Sequence, residues 1–410
     1  MTVTNGKPNP ATSVDEFVKS IEGIGRSSFA FDGDRIQALR AAYALVSRLE
    51  TSWDTVARLV LTEPALGASL KVVRDLQLFE KWQQDGDANS PQTGAQLAEL
   101  TGCDPMLLSR ILRHLAATNL LQEVSPAVYQ QTAFTKSLLE PVFGAWVDYL
   151  YDATLPCFYK MPEYLAQTGY RNPADPNDGI FQYTKGFQGS LFDYYDVHPS
   201  EGDSFNNMMG GVMAKQAGML DIYPYENLAD DSDSLPARPP PLPPLLVDVG
   251  GNVGHDINKF LARQPALATR LVLQDRPDVV RLAKCPSTVQ VMAHDFFTPQ
   301  PVKGARAYYM HGVIHDWSDE PARRILGHLR DAMTPGYSKL LVHDHVLPAD
   351  HPHPQATAFD LTMMVKVSAF ERTESMWAEL LGSVGFRIIK IWGSPLATQS
   401  VIEGELAPVA

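Results

Sequence analysis

From Asp34 to about Glu140 the apolar residues recur at helical spacing. Leu70, Val73, Leu76, Leu78 and Phe79 mark one apolar helix face. A second helix is better punctuated: Asp104 can cap it, Pro105 suits its first position, and Leu107, Leu108, Ile111, Leu112 and Leu115 form its stripe. Leu120 to Thr132 alternates loosely, as a short hairpin does. Tyr151 to Tyr225 is rich in aromatics, and Ser204 to Leu220 reads as a helix carrying Phe205, Met208, Met209, Val212 and Met213. That stripe is either ordinary core or the wall of an adaptable pocket, because Met side chains conform to varied ligands. Asp230 to Pro244, DDSDSLPARPPPLPP, cannot build a helix or a central strand and reads as an exposed linker. Beyond it the pattern changes to short apolar runs: Leu245–Gly250, Leu271–Asp275, Val289–Asp295, Ala307–Gly312, Lys339–Asp344, Arg387–Trp392 and Ser400–Glu405, most of them separated by helical stretches.

Strands alternating with helices predict an α/β domain: an open, mostly parallel sheet with helices on both faces and a ligand beyond the carboxyl ends of its strands. Helix, helix and hairpin upstream resemble a winged helix-turn-helix, although a plain helical core would look the same. The expected divisions are a tail and first helix (1–33), a helical region with the winged helix (34–150), a helical connection (151–229), the linker (230–244) and the α/β domain (245–410).

The chain has 410 residues, 45% of them hydrophobic, and a net charge of −13. That length is ample for a buried core without staples. The acidic balance and the lack of a Lys/Arg run argue against nucleic acid as partner, since phosphate neutralisation supplies most of such affinity. Cys103, Cys157 and Cys285 are far apart and form no CxxC pair, which fits a reducing, cytoplasmic setting. A polar N-terminus and the lack of an 18-residue apolar run predict neither a signal peptide nor a membrane span.

The first strand of the α/β domain runs into LLVDVGGNVGHD, residues 245–256. Gly250, Gly251 and Gly254 let the backbone turn and approach a ligand. Asn252 stands where the dinucleotide fingerprint needs its second glycine, which disfavours an NAD-linked oxidoreductase. At the end of the second strand, about 20 residues on, Asp275 can accept both hydroxyls of a ribose. The third strand ends in Asp295, followed by Phe296 and Phe297, suited to an adenine amino group and ring. Glycine loop, acid and acid on successive strand ends point to an adenosine-containing cofactor without a diphosphate clamp.

VDVGGNVG, LVLQDRPDVV, AHDFF and HGVIHDWSDE together resemble the S-adenosylmethionine-dependent O-methyltransferases of the caffeate-like class, and most closely the fungal branch that modifies secondary metabolites. The resemblance runs from about Leu70 to Glu405. It implies a winged-helix-containing N-terminal domain that forms a homodimer, a Rossmann-like catalytic domain of seven strands whose last is antiparallel, and S-adenosylmethionine as cofactor. It further implies Phe205 and Met209 at the acceptor, Trp317 near the cofactor (core packing being the alternative) and His311 at a position where plant relatives place a basic cofactor contact.

His315 follows the fourth strand on a loop over the expected cleft and can take a proton from a phenol or enol. Its alternative is a helix-capping histidine. Asp344, at the end of the next strand in LLVHDHVLP, could hydrogen-bond the other ring nitrogen, and AFERTE offers Glu371. In the resembling family two acids bracket the base, which carries over to Asp344 and Glu371, although the family usually has Glu at the first. The HD pairs lack helical i,i+4 spacing, so no metal is expected. The expected activity is methyl transfer to a phenolic or enolic hydroxyl of a small molecule. The alternatives are an enzyme of this fold that dehydrates or cyclises polyketide-derived intermediates without methyl transfer, and a non-enzymatic regulator using the winged helix.

Overall fold

In the computed structural model the described residues are 13–84, 89–229, 242–393 and 399–408. The chain divides into two units, Met1–Thr62 and Glu63–Ala410. Most of the linker expected at 230–244 lies outside the described residues.

Among the described residues the first unit holds helices Val14–Ile21, Asp32–Leu49 and Ser52–Ala57, a 3₁₀ turn, Arg26–Ser28, and a wide helical turn, Arg58–Thr62. Thr51 caps the third helix by accepting from the Asp54 N–H while Asp54 accepts from the Thr51 N–H. Large apolar side chains on these helices stay open to solvent in the single chain, with Trp53 78% exposed and Phe31, Leu49 and Leu61 similar.

The second unit begins with the winged helix. Strand β1 (Gln92–Thr93) joins β3 (Val128–Gln131), which pairs with β2 (Leu121–Ser125), all antiparallel. Asp104 caps the helix Pro105–Ala117 through the Leu107 N–H at 2.9 Å. That helix buries Leu108, Leu112 and Leu115 against Val73, Leu78, Phe79, Trp82 and Tyr129. Two expectations need correction here. Leu107 is 47% exposed, because the core-facing side of the helix starts at Leu108. The stretch from Leu70 to Phe79 forms two helices, Glu63–Asp75 and Leu78–Gln84, because Gln77 takes a left-handed conformation (φ 52°) that turns Leu78 and Phe79 back into the core.

The helical connection continues through Pro141–Tyr149, a π-helical turn at Leu150–Thr154, and Leu155–Gln167, Ile180–Lys185 and Leu191–Val197. The Met-rich helix spans Pro199–Lys215, so it begins earlier and ends sooner than Ser204–Leu220; Pro199 opens it, and a new turn starts after Gly218.

Seven strands build the main sheet: β4 (Leu246–Val249), β5 (Leu271–Asp275), β6 (Gln290–Ala293), β7 (Ala307–His311), β8 (Lys339–Asp344), then β11 (Phe386–Trp392) and β12 (Ser400–Leu406). A small parallel pair, β9 (Val346–Leu347) and β10 (Arg372–Thr373), lies outside it. The order is β11-β12-β8-β7-β4-β5-β6, and only β12 runs against its neighbours. Every apolar run assigned to a strand forms one, and the last strand is antiparallel. Helices cover both faces, so the central strands β4, β7 and β8 are buried almost throughout, the polar Asp248, His311, His343 and Asp344 included. Leu340 and Val342 pack under the helices Asp319–Arg330 and Glu374–Ser383, whereas Leu341 and Tyr309 pack under His255–Arg263. No helix among the described residues is long and apolar enough to cross a membrane.

Candidate active site

Strand β4 ends at Val249 and the chain turns through Gly250 (φ 78°) and Gly254 (φ 93°) into the helix His255–Arg263. These conformations favour glycine, and space demands it as well. A Cβ on Gly251 would overlap the Asp248 carboxylate, and one on Gly254 would overlap the Cys285 sulfur. Asn252 also adopts a left-handed conformation (φ 53°), which Asn tolerates. Its amide donates to Asp275 Oδ2 at 2.7 Å, and Asp275 Oδ1 accepts from the Arg276 amide at 2.7 Å. The departure from the dinucleotide pattern is therefore accommodated, and it ties the glycine turn to the β5 carboxylate.

Asp248 lies buried under this turn, and neither carboxylate oxygen has a hydrogen-bond partner. Burial, reinforced by the charges of Asp256 and Asp275, pushes its carboxyl well above the usual range. Burial likewise raises Asp275. An orphaned carboxyl beside a backbone cradle too tight for any Cβ fits a ligand that brings its own hydrogen-bond donors and positive charge. Phe296 stands 3.8 Å from where a Gly250 Cβ would be and meets Trp317 edge-on at 6.0 Å; Phe297 meets the same indole at 4.7 Å. Asp295, just before these rings, is exposed and accepts from the Phe297 amide at 2.9 Å. Beside Trp317, Phe297 and Arg324 a groove of about 450 Å³ opens toward Asn177, Ser190 and Asp193.

Beyond β7, Gly312 (φ 61°) leads into a single 3₁₀ turn, Ile314–Asp316, that carries His315. Its Nδ1 lies 2.9 Å from Glu371 Oε1, and its Nε2 lies 3.7 Å from Asp316 Oδ1, beyond hydrogen-bond reach. Burial alone would lower the imidazole, but the charges of Glu371, Asp344 and Asp316 outweigh it and hold His315 well above its ordinary value. Glu371 is raised by burial but brought below its usual value by the charge and hydrogen bond of His315. The two form a buried imidazolium–carboxylate pair. Asp344 requires a correction. Its carboxylate makes no hydrogen bond, to His315 or to anything else, because the aspartate stem ends short of the ring that Glu371 already holds. Burial pushes Asp344 up to about 7, partly offset by His315, so it acts on the ring through its field alone.

His311 is also placed differently from expectation. Both ring nitrogens are engaged inside the protein, Nδ1 by Asp256 Oδ2 at 2.6 Å and Nε2 by Gln399 Oε1 at 3.0 Å, and the ring stacks on His343 at 3.9 Å. Strand alternation turns it to the face covered by the helix His255–Arg263, where it braces that helix rather than standing free for a ligand.

Phe205 stacks on Tyr195 at 5.2 Å and lies 5.6 Å from Tyr149, and Met209 packs on the same cluster. The Tyr149 and Tyr195 hydroxyls share a 2.5 Å hydrogen bond. Burial raises Tyr149 to beyond the ordinary phenol range, and the charge of Asp316 adds to the effect, which puts this aromatic cluster within electrostatic reach of the histidine turn. Tyr159, in contrast, points into solvent.

Three residues of the site escaped the sequence reading. Asp316 is half-buried, and desolvation raises it to about 6; its signal was simple adjacency in HDW. Arg372, fully buried, donates to the carbonyls of Ile314 (3.3 Å) and Trp317 (2.8 Å), on either side of His315, and to Asp319 Oδ1 at 2.8 Å. It follows Glu371 directly, so two consecutive residues hold the ring and the turn that presents it. Lys366 was visible only as a lone cation in the apolar run MMVKVSAF.

This geometry can be set beside known proteins. Residues 241–387 match the family model of the O-methyltransferase domain, and residues 63–141 that of the O-methyltransferase dimerisation domain. O-methyltransferase mfmE of Annulohypoxylon moriforme is 55% identical over 404 residues, 98% of each chain. Methyltransferase cfoC of Aspergillus candidus is 36% identical over 96% of each. Among solved structures, LepI in complex with SAM superposes with a TM-score of 0.84 at 26% identity, covering 96% of this chain and 98% of that one. The chain belongs to the S-adenosylmethionine-dependent O-methyltransferases. Its relatives place it with the fungal enzymes of secondary-metabolite type, and its cofactor is S-adenosylmethionine.

Proposed function

We propose that the protein methylates a phenolic or enolic hydroxyl of a small secondary metabolite, with His315 as proton acceptor. The carrying observation is the asymmetry of the imidazole: Glu371 occupies Nδ1, while Nε2 has no hydrogen-bond partner and faces Asp316 at 3.7 Å. The glycine turn, Asp248, Asp275 and the Phe296–Trp317 pair are the residues we assign to the cofactor, with Asp295 beside them; Phe205 and Met209 are assigned to the acceptor.

The cofactor's sulfonium supplies an already activated methyl group. The chain's task is then to align a hydroxyl, hold its proton and exclude water. Glu371 fixes the tautomer and stabilises the imidazolium that forms when Nε2 is protonated, as the acid of a hydrolase triad does. Arg372 keeps the turn rigid. Because His315 sits above its ordinary value, its neutral form is scarce at neutral pH; a cationic ligand in the cleft opposes the imidazolium and favours that form.

Labelled S-adenosylmethionine with a panel of phenols, pyridones and anthraquinones tests this. Wild type transfers label, and His315→Ala loses about 10²–10⁴-fold in rate while still binding cofactor. A fully active variant would refute the assignment of the base. A second reading, rearrangement or dehydration without methyl transfer, draws on the likeness to a solved structure described as a pericyclic reaction enzyme, with a TM-score of 0.84 at 26% identity. Product mass spectrometry separates the two, since only the first adds a methyl group. The match to a dimerisation domain and the exposed apolar side chains of the first unit support a homodimer, and the three free cysteines support a cytoplasmic setting.

A further inference from the structure

A lysine is buried in the aromatic cluster, and among the described residues it has no carboxylate within ion-pair distance. Lys366 is 4% exposed. Its ammonium donates to the Ala153 carbonyl at 3.2 Å, in the π-helical turn, and lies 4.5 Å above the Phe181 ring and 5.3 Å above the Tyr149 ring. Of the groups whose charge reaches it, the Cys157 thiol is pushed up by burial and stays neutral, and the carboxylate, Glu201, is already satisfied: it accepts from Lys185 at 2.8 Å and from the Tyr194 hydroxyl at 2.7 Å. Burial lowers Lys366 to about 8, so it is still mostly charged at neutral pH. Carbonyl and ring faces are partial compensation for a full charge out of water. Beside it stands the Tyr149–Tyr195 pair, in which one hydroxyl donates to the other and the second keeps a proton to give. Ammonium and hydroxyl are both donors, and what they lack is an anionic oxygen.

The helix that carries Lys366, Pro354–Val367, also borders the histidine turn. Phe359 packs 5.3 Å from His345, whose ring is 6.3 Å from His315, and Asp360 accepts from the Glu371 amide at 2.8 Å. From Phe359 to Lys366 the helix advances about 10 Å, the length of a fused-ring aromatic. One part of the helix thus borders the proposed base, and its last turn bears a cation that is only partly compensated.

We propose that Lys366 is a specificity-determining residue that selects acceptors bearing an anionic oxygen, a carboxylate or an enolate, in addition to the hydroxyl that receives the methyl group. The proposal rests on the methyl-transfer reading above and names the substrate class for it.

Calorimetry on the full chain loaded with S-adenosylhomocysteine tests it with hydroxynaphthoates and hydroxybenzoates, each beside its own methyl ester. Wild type is expected to bind at least one acid about tenfold or more tighter than its ester. Lys366→Met, neutral and close in shape, is expected to lose that preference, with retained binding of S-adenosylhomocysteine reporting an intact fold. Retention of the acid preference in Lys366→Met overturns the proposal. So does equal binding of acids and esters by wild type, or binding of no member of the set. A methyl-transfer assay on the esters separates the two levels: transfer without acid preference leaves the proposed function standing and removes only the role of Lys366, whereas no transfer to any phenol removes both.

Discussion

At the scale of single residues the chemistry turns on which groups share the buried space around one imidazole. Glu371 bonds His315, while Asp344 and Asp316 act through space, and together they outweigh the burial that would otherwise discharge the ring. A base held above its ordinary value is free to accept a proton only at higher pH. The acid limb of kcat/KM should therefore rise above pH ~6.5, the ordinary value for histidine; a profile flat from pH 6 to 9 would contradict this assignment. Asp344→Asn removes one attraction without removing a hydrogen bond, so the same limb should move to lower pH. An unmoved limb would mean that Asp344 does not act through its field. Glu371→Gln should cost about 10²-fold or more in kcat, because the neutral amide can accept from Nδ1 but cannot balance the imidazolium. The sequence made His315 legible through its place after a strand, and Glu371 only through resemblance. It could not show that a carboxylate one methylene short leaves Asp344 unbonded, nor that Lys366 stands without an acid. Those are consequences of distances that no spacing rule encodes.

Elements position these residues in two ways. The glycine turn between β4 and its helix is set by space as much as by conformation, since Gly251 has Asp248 and Leu273 directly against it. Gly251→Ala should therefore weaken cofactor binding by about tenfold or more, in line with the 1–3 kcal/mol typical of overpacking, and calorimetry measures it; unchanged affinity would mean that the turn has slack. The seven strands could be read from the chain because each carries a short, mainly apolar run set between helical or turn-rich stretches. The break at Gln77 could not, because no glycine or proline marks it and only tertiary packing of Leu78 and Phe79 explains it. The start of the Met-rich helix was misplaced for a related reason: Pro199 opens it, ahead of its first apolar position. His311 shows the same limit. Its strand position was correct, but alternation across the sheet sends its ring to Asp256 and Gln399.

On the scale of the whole molecule, the two units differ in how they treat apolar surface. The second closes its cores on both faces of the sheet and around the winged helix. The first leaves Phe31, Leu49, Trp53 and Leu61 open in the single chain, which is the exposure expected of a surface that another chain covers. The full chain should sediment as a dimer, and Trp53→Asp combined with Leu61→Asp should shift it toward monomer; a wild-type monomer at micromolar concentration would contradict the dimer. The winged helix needs no DNA to explain it, since its apolar helix face is spent on its own core.

The central claim is that one imidazole, held by Glu371, takes the acceptor's proton during methyl transfer. Single-turnover transfer of labelled methyl by wild type and by His315→Ala, both saturated with S-adenosylmethionine, tests it most directly. The account predicts a loss of about 10²–10⁴-fold in the rate of the bound complex with cofactor affinity preserved. An equal rate in the variant would contradict it.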